Sequence, residues 1–234
     1  MITIENLTIS YSKNKTIIHS LNISMLENTI NGIVGLNGSG KTTLLNAIYG
    51  LKGIDEGKIE YKGTRVSKQQ IAYLVTENYF YSGITGREFL SLFKNNHFDL
   101  TRWNELFLLP LDQLIDEYST GMKKKLALLS ILKQDKPILV LDEPFNGLDL
   151  ETCRIIRTIL MELKAKSRTI IITSHIIETL TNLCDNLYYL ENGTIKYSVE
   201  KKDFEAFEHK LFHEISQKND FKIKEIIENG YSNY

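Results

Sequence analysis

The sequence predicts an α/β fold that combines a largely parallel sheet with an antiparallel β subdomain and an inserted helical subdomain. Four observations lead to this prediction. A glycine-rich loop joins an apolar run to a helical pattern, and alternating apolar residues fill the first 35 positions. The pattern is helical from about residue 79 to residue 135, and β/α alternation resumes after Pro137.

The composition is that of a soluble globular protein, with 42% hydrophobic and 24% charged residues among 234. A formal net charge of −1 supplies no basic surplus for nucleic acid. Cys153 and Cys184 form no metal-binding or redox pattern, so we expect buried, reduced thiols in a reducing cytosol. The longest apolar runs are far shorter than the roughly 20 residues of a membrane-spanning helix. A function at a membrane would therefore need another chain to supply the span.

The N-terminal part is expected to be rich in β-structure. Apolar residues alternate with polar ones in two groups, which is typical of short strands in a partly antiparallel sheet. The two groups are Ile2, Ile4, Leu7 and Ile9, then Ile17, Ile18, Leu21 and Ile23. Further strands are predicted at Ile30 to Leu36, Lys58 to Tyr61 and Ile71 to Val75.

Residues 35–43 read GLNGSGKTT and fit the phosphate-binding pattern G-x-x-x-x-G-K-[ST]. The glycines let backbone N–H groups turn inward into an anion-binding nest, and the helix that follows adds the positive end of its dipole. Lys41 would reach the terminal phosphates, and the Thr42 hydroxyl would bind Mg²⁺. The alternative, a glycine-rich turn with a chance lysine, leaves the strand before and the helix after unexplained. We therefore expect the whole loop to bind a nucleoside triphosphate, through Gly35, Leu36, Asn37, Gly38, Ser39, Gly40, Lys41, Thr42 and Thr43.

Between about residues 79 and 135, apolar and aromatic side chains recur at three- and four-residue steps, which predicts a packed helical subdomain. Tyr79, Phe80 and Tyr81 lie at its start. They are either anchors of an interface or part of the subdomain core, and the sequence leaves both open.

After Pro137 the sequence predicts strands that are apolar nearly throughout, as in a parallel sheet covered on both faces. The predicted elements are a strand from Ile138 to Asp142, a helix from Leu150 to Lys166, a strand from Thr169 to Thr173, a short helix through Leu183 and a hairpin around Asn192. Residues 1–200 would form the main domain, and residues 201–234 an appended amphipathic helix with a mobile tail.

Two carboxylates and a histidine follow these strands. Asp142 and Glu143 end one strand at the carboxyl edge of the sheet, where α/β folds place ligands. Asp142 is suited to hold Mg²⁺, and Glu143 to orient and deprotonate an attacking water. His175 ends the strand expected beside them and would face the same phosphate; the alternative is a hydrogen-bonded structural histidine.

Taken together, these motifs resemble the ATP-binding subunit of ATP-binding-cassette (ABC) transporters. The resemblance rests on the phosphate loop, the segment Tyr118 to Met122, the ILVLDEP strand, the segment Asn146 to Asp149 and His175, in that order. It covers about Met1 to Val199 and implies a P-loop NTPase of two lobes. It also implies ATP and Mg²⁺ as ligands, with catalysis by Glu143 and His175 and metal contacts from Thr42 and Asp142.

The segment YSTGM is similar to the family signature LSGGQ, with Thr120 in place of a glycine and Met122 in place of a glutamine. In the family this segment contacts the nucleotide of the opposite subunit in a head-to-tail dimer. The resemblance therefore implies nucleotide contacts from Ser119, Gly121 and Met122, and from Asp149 in the loop that crosses the interface. An ordinary helix cap is the alternative for Ser119.

Three lysines at positions 123–125 follow the signature, where the helix dipole disfavours cations. This conflict is explained either by an anionic neighbour or by a solvated run of charge.

Two further positions are compared with the family. Tyr11 matches the aromatic residue that stacks on adenine, although a structural tyrosine at a strand end is the alternative. Thr76 stands where the family usually has a glutamine that contacts Mg²⁺ and the attacking water. We expect this loop to keep its position, with a weaker metal contact than usual and without direct coordination by Glu77.

The resemblance implies an ATP-hydrolysing subunit that powers a separately encoded transmembrane permease, most similar to the ATPases of ABC-2-type exporters. The segment Thr76 to Ser82 and the helix Thr85 to Phe93 would form the docking surface. The expected location is cytoplasmic, peripheral at the inner face of the cell membrane through the permease. A second ATPase subunit, identical or different, is expected, and nucleic acid is not. The alternatives are a soluble ATP-gated clamp on ribosomes or DNA, and a regulatory ATP-binding subunit with weak hydrolysis.

Overall fold

The computed structural model describes residues 1–12 and 15–230, and the last four residues of the predicted tail lie outside this range. Its strands are β1 (Ile2–Ser12), β2 (Lys15–Met25), β3 (Ile30–Val34), β4 (Glu56–Tyr61), β5 (Thr64–Arg65), β6 (Ile71–Leu74), β7 (Ile138–Leu141), β8 (Thr169–Ser174), β9 (Asn186–Glu191) and β10 (Thr194–Glu200). Its helices are α1 (Lys41–Tyr49), α2 (Gly86–Ser91), α3 (Leu100–Phe107), α4 (Thr120–Gln134), α5 (Leu150–Ala165), α6 (Glu178–Thr181) and α7 (Phe204–Gly230).

The larger sheet has the strand order β10-β9-β3-β8-β7-β6, and it is parallel from β9 to β6, with β10 antiparallel at one edge. Every residue of β3, β7 and β8 is buried. The side chains of β7 alternate between two hydrophobic cores. Leu139 and Leu141 belong to one core, and Ile138 and Val140 belong to the other. This arrangement confirms the predicted mixed sheet, and it explains why its strands are apolar throughout.

The smaller sheet is antiparallel, with the order β2-β1-β4-β5. The predicted groups of short strands are instead two strands of 11 residues each. Register shifts between them absorb the irregular spacing of the apolar residues, and Asn6 and Ser20 have left-handed backbone conformations. The inward side chains of this sheet share a core with Leu44, Leu45 and Ile48 of α1.

The helical insert comprises α2, α3 and α4, and α4 contacts the edge strand β6. Its helices begin at hydrogen-bonded caps, with Thr85 and Glu88 forming a capping box at α2 and Asp99 capping α3. The aromatic side chains pack on one another, as in the stacked rings of Phe98 and Trp103, whose centroids lie 5.7 Å apart. These contacts agree with the prediction of a packed helical region.

The long helix α7 is anchored through its first turns. Phe204, Phe207 and Leu211 are buried in the larger core, and the Phe207 ring lies 5.7 Å from that of Tyr197 on β10. Within the described residues, each helix is too short or too polar to cross a membrane.

Candidate functional site

The loop between β3 and α1 forms a cradle of backbone groups. Gly38 and Gly40 have φ angles of 81° and 108°, which a residue with a Cβ adopts only with strain. A Cβ at Gly35 would lie 2.4 Å from the carbonyl oxygen of Leu190. Gly40 is the N-cap of α1 and has no side chain to bond the first N–H groups of that helix. These donors therefore remain for an anion.

The ammonium group of Lys41 is buried inside this cradle. Its Nζ donates to the carbonyl oxygens of Gly35 at 2.7 Å and Leu36 at 3.2 Å, and lies 3.8 Å from Oε1 of Glu143. Burial lowers the pKa of Lys41, and the nearby carboxylates oppose this shift. The Oγ of Ser39 is buried without a hydrogen-bond partner within the described part of the chain. A buried cation beside an unpaired hydroxyl fits a site that is completed by a phosphate.

The carboxylate of Asp142 is fully buried and accepts three threonine hydroxyls. Oγ1 of Thr42 and Oγ1 of Thr76 each donate to Oδ2 at 2.7 Å, and Oγ1 of Thr173 donates to Oδ1 at 2.6 Å. The sequence analysis did not identify Thr173. The feature that reveals Thr173 is the parallel register of β7 and β8. This register pairs Leu141 with Ile172, so the next residues, Asp142 and Thr173, lie side by side.

Glu143 has a left-handed backbone conformation, with φ of 49°, that is uncommon for a residue other than glycine. Its N–H donates to Oγ1 of Thr173 at 3.0 Å, and its carbonyl accepts from Nζ of Lys124 at 2.6 Å. Its Oε2 lies 3.1 Å from Nδ1 of His175 and 3.4 Å from Nδ2 of Asn146. Backbone and side chain are therefore both held in place, as is typical of strained residues at functional sites.

These groups border one cleft of about 510 Å³, a size that suits a nucleotide. Tyr11, Thr76, Glu143, Asn146 and His175 line it, together with Asn37, Gly38 and residues 40–43 of the phosphate loop. Gly35, Leu36 and Ser39 of that loop are not among the lining residues. The Tyr11 side chain is 60% exposed, and Nζ of Lys52 lies 4.5 Å from the centroid of its ring. The structure thus brings the predicted catalytic pair, the phosphate loop and Tyr11 to one place.

The residues predicted to bind the metal offer oxygen ligands. Thr42, Thr76 and Asp142 present hydroxyl and carboxylate groups, which are the ligands that Mg²⁺ prefers. The donor set therefore fits Mg²⁺. Glu77 is exposed and lies 3.4 Å from the hydroxyl of Tyr79. The expectation of a weak metal contact at Thr76 stays a prediction.

The signature segment does not line the cleft of its own chain. Oγ of Ser119 accepts from the N–H of Met122 at 3.2 Å and caps α4. Gly121 lies close to the carbonyl of Gly147, since an ideal Cβ on it would be 3.6 Å from that oxygen. Ser119 therefore has the cap role that was considered for it. Its contact with the nucleotide of a second subunit stays a prediction.

Asp149 joins the start of α5 to α4. Its Oδ1 accepts from the N–H of Thr152 and its Oδ2 from the Thr152 hydroxyl, each at 2.7 Å. An ion pair of 3.6 Å connects it to Lys125. The hydrogen bonds from Thr152, more than this ion pair, lower the pKa of Asp149 to about 2. Asp149 is therefore ionised at neutral pH.

The run of lysines after the signature follows neither predicted alternative as a whole. Lys123 is half-buried, Lys124 is buried against the carbonyl of Glu143, and Lys125 pairs with Asp149. The expectation of a solvated run is wrong for Lys124, because its side chain is buried and its ammonium group donates to that carbonyl.

The aromatic cluster at the start of the helical insert divides in the same way. Tyr79 and Tyr81 are 87% and 70% exposed, whereas the Phe80 ring packs against Phe89 with centroids 4.9 Å apart. The core alternative holds for Phe80, and the role of Tyr79 and Tyr81 as interface anchors stays a prediction.

Comparison with known proteins identifies a family. The sequence matches the family described as "ABC transporter" over residues 18–146. The ABC transporter ATP-binding protein YtrB of Bacillus subtilis (strain 168) is 30% identical over 190 residues, which are 76% of this chain and 65% of YtrB. The ABC transporter ATP-binding protein YybJ of the same organism is 32% identical over 218 residues, 87% of this chain and 100% of YybJ. The lantibiotic transport ATP-binding protein SrtF of Streptococcus pyogenes is 27% identical over 222 residues, 89% of this chain and 93% of SrtF.

Solved structures share the fold. An ATP-binding subunit of an ABC transporter superposes with a TM-score of 0.80 at 25% identity, over 87% of this chain and 91% of that one. The dimeric ATP-binding cassette MJ0796, in a post-hydrolysis state bound to ADP and Pi, gives a TM-score of 0.76 over 86% of this chain and 99% of that one. At 20% identity the second likeness shows the fold alone.

Proposed function

Because this chain belongs to the ABC transporter family of ATP-binding proteins, we propose that it hydrolyses Mg²⁺-bound ATP to power a separately encoded membrane permease. The observation that carries the proposal is the position of Glu143. Its carboxylate borders the nucleotide-sized cleft, beside the buried Lys41 and in contact with His175.

The phosphate loop would bind the triphosphate. Backbone N–H groups at Gly38 and Gly40, together with the start of α1, surround the terminal phosphates in this proposal. The buried ammonium group of Lys41 supports this proposal, as does the Ser39 hydroxyl, which has no hydrogen-bond partner among the described residues. The exposed ring of Tyr11, at the rim of the same cleft, would stack on the base.

Thr42 and Asp142 would hold Mg²⁺, which when bound neutralises charge on the β- and γ-phosphate oxygens. Thr173 fixes the orientation of the Asp142 carboxylate through its second oxygen. Thr76 hydrogen-bonds the first oxygen and keeps its loop at the site.

Glu143 would act as the general base for hydrolysis. It would take a proton from a water molecule as the water oxygen attacks the γ-phosphorus, and the bond to the β-phosphate oxygen breaks. His175 and Asn146 hold Oε2 of the carboxylate, which limits its rotation. His175 would also contact the γ-phosphate from the neighbouring strand.

A second cassette, identical or different, would complete the site. Ser119, Gly121 and Met122 lie outside the cleft of their own chain, although Ser119 caps a helix whose first N–H groups suit an anion. We infer that these residues, with Asp149, contact the nucleotide of a partner subunit packed head to tail. MJ0796, which shares the fold, is dimeric with ADP and Pi bound, and this supports the pairing of two subunits.

The partner in the membrane would dock at the exposed Tyr79 and Tyr81, since exposed aromatic residues are frequent interface anchors. The chain would then be cytoplasmic and peripheral at the inner face of the cell membrane. The name of SrtF, a lantibiotic transport ATP-binding protein, supports an exporter.

The Glu143→Gln variant tests the enzymatic proposal. We expect it to bind Mg²⁺-ATP within about threefold of the wild type by calorimetry, while phosphate release falls by about 100-fold or more, because the amide accepts no proton. Light scattering with ATP should show a dimer of the variant. Glu151→Gln, at an exposed position in the first turn of α5, is the matched control and should resemble the wild type.

Unchanged phosphate release from Glu143→Gln would refute the role of Glu143, and a monomer with bound ATP would refute dimerisation of the isolated chain. For the transport proposal, the chain is purified from its native cells under mild detergent. Copurification with an integral membrane protein is the expected result, and copurification with ribosomes instead would contradict it.

A further inference from the structure

Lys124 lies in the second turn of α4 and has only 7% of its surface exposed. Its Nζ donates at 2.6 Å to the backbone carbonyl of Glu143, 19 positions further along the chain. A buried ammonium group is unfavourable unless it is hydrogen-bonded, and burial lowers the pKa of Lys124. The carboxylates of Asp142 and Glu143 oppose that shift, so the cation lies in their field.

The backbone of Glu143 depends on outside contacts. Its left-handed conformation is disfavoured for any residue with a Cβ, and Pro144 favours extended backbone at the residue before it. Two contacts oppose these preferences. Thr173 holds the N–H of Glu143, and Lys124 holds its carbonyl. The peptide groups on both sides of the Glu143 Cα are thereby oriented, and with them the direction of its side chain.

We propose that Lys124 is a positioning residue for hydrolysis, whose ammonium group holds the carbonyl of Glu143 so that the carboxylate is presented to the cleft. This inference rests on the proposed role of Glu143 as the general base. Without the donor, the peptide between Glu143 and Pro144 turns toward extended backbone, and the carboxylate leaves the position that His175 and Asn146 share with it.

The position of Lys124 also gives the acid a mechanical connection to the signature. Ser119, at the N-cap of the same helix, lies five residues before it. A shift of the first turns of α4 therefore moves the group that holds Glu143. In each subunit, the position of Glu143 would then depend on how the signature segment contacts the neighbouring subunit.

Two substitutions separate hydrogen bonding from packing. Lys124→Met keeps the length and apolar stem of the side chain but has no donor, and Lys124→Gln keeps an N–H donor on a slightly shorter chain. Lys133→Met, in the last turn of the same helix, is the matched control for loss of one lysine from α4. Steady-state phosphate release gives kcat and KM, and turnover is counted per nucleotide-bound chain so that unfolded protein does not contribute.

We expect kcat of Lys124→Met to fall by about 100-fold, with KM and the Kd for ATP within about threefold of the wild type, because a misplaced base impairs the chemical step and leaves binding unchanged. Lys124→Gln should recover about tenfold of that loss, and Lys133→Met should match the wild type. Three results would overturn the proposal: a wild-type kcat in Lys124→Met, a rise of KM in step with the fall of kcat, or no recovery in Lys124→Gln.

Should Lys124→Met not fold, Lys124→Gln decides alone. A kcat reduced severalfold at unchanged KM supports the proposal, and a wild-type kcat overturns it. Measurements on the wild type test the proposed function separately. If the wild type binds ATP but releases no phosphate, both proposals are overturned. If the wild type releases phosphate and the Lys124 variants have the same kcat, only this proposal is overturned.

Discussion

Replacing Thr173 by valine removes one hydroxyl group that serves two buried partners. The hydroxyl donates to Oδ1 of Asp142 at 2.6 Å and accepts from the N–H of Glu143 at 3.0 Å. Valine has nearly the shape of threonine, so the packing of β8 against β7 is preserved and only the hydrogen bonds are lost. The side chain is fully buried, which leaves little room for water to replace it.

The expected loss of stability follows from these two bonds. A hydrogen bond to a charged group contributes about 1.5–3 kcal/mol, and a buried N–H left without a partner costs about 1–3 kcal/mol. Their sum predicts that Thr173→Val lowers the free energy of unfolding by about 2.5–6 kcal/mol. Thr173→Ser keeps the hydroxyl and loses one methyl group, which corresponds to about 1 kcal/mol.

Equilibrium unfolding in urea, without nucleotide, measures both variants against the wild type. Nucleotide is omitted because binding to the folded state would add its own stabilisation. We expect the midpoints to move at an unchanged slope, with the valine variant at least about 1.5 kcal/mol less stable than the serine variant. If the two variants lie within about 1 kcal/mol of each other, the hydroxyl of Thr173 does not hold Asp142 and Glu143 as described.

Three further predictions concern the cleft and its surroundings. Tyr11→Ala should weaken Mg²⁺-ATP binding by about tenfold in calorimetry through loss of base stacking, while Tyr11→Phe should bind like the wild type; equal affinities for all three proteins would contradict the stacking role. Lys41→Met should reduce ATP affinity by about 100-fold or more, because it removes the buried cation that is proposed to bind the phosphates; binding that survives the change argues against the phosphate loop as the site. Asp149→Asn should be less stable than the wild type by an amount that depends on pH. The pKa of Asp149 is lowered to about 2 in the folded chain, so its ionised form stabilises the fold at pH values above the unfolded pKa of about 3.9. The difference in unfolding free energy between wild type and Asp149→Asn should be constant above about pH 5 and shrink as the pH falls toward about 2; a difference that does not change with pH would show that this carboxylate is not held by Thr152.

The parts of the site that were predictable from sequence lie at the ends of apolar strands. Asp142 and His175 follow β7 and β8, and neighbouring parallel strands end at one edge of a sheet, so their convergence follows from topology. The phosphate loop carries its own pattern of glycines between β3 and α1. The fold class was predictable for the same reason, because runs of buried isoleucine, valine and leucine separate helical patterns.

What could not be predicted depends on contacts between distant segments. Thr173 reads as an ordinary strand residue until the register of β7 and β8 places it beside Asp142. Lys124 reads as one of three solvated lysines until α4 is packed against the segment that carries Glu143. The long strands β1 and β2 escaped prediction because a shift of register breaks the alternation of side chains without ending the strand.

In the helical insert, the sequence likewise does not predict which of three neighbouring aromatic side chains is buried. Tyr79, Phe80 and Tyr81 are consecutive, and only the middle ring packs inward against Phe89. One hydrophobic cluster in the sequence therefore becomes a partly buried residue, packed against the core, between two exposed residues.

The left-handed conformation of Glu143 and its proposed role as the general base make opposite demands on one position. A glycine there would relieve about 1–2 kcal/mol of backbone strain and would remove the proposed base at the same time. A library of this chain that is selected for heat resistance should therefore also be screened for phosphate release, because a substitution that relaxes this backbone can remove the carboxylate.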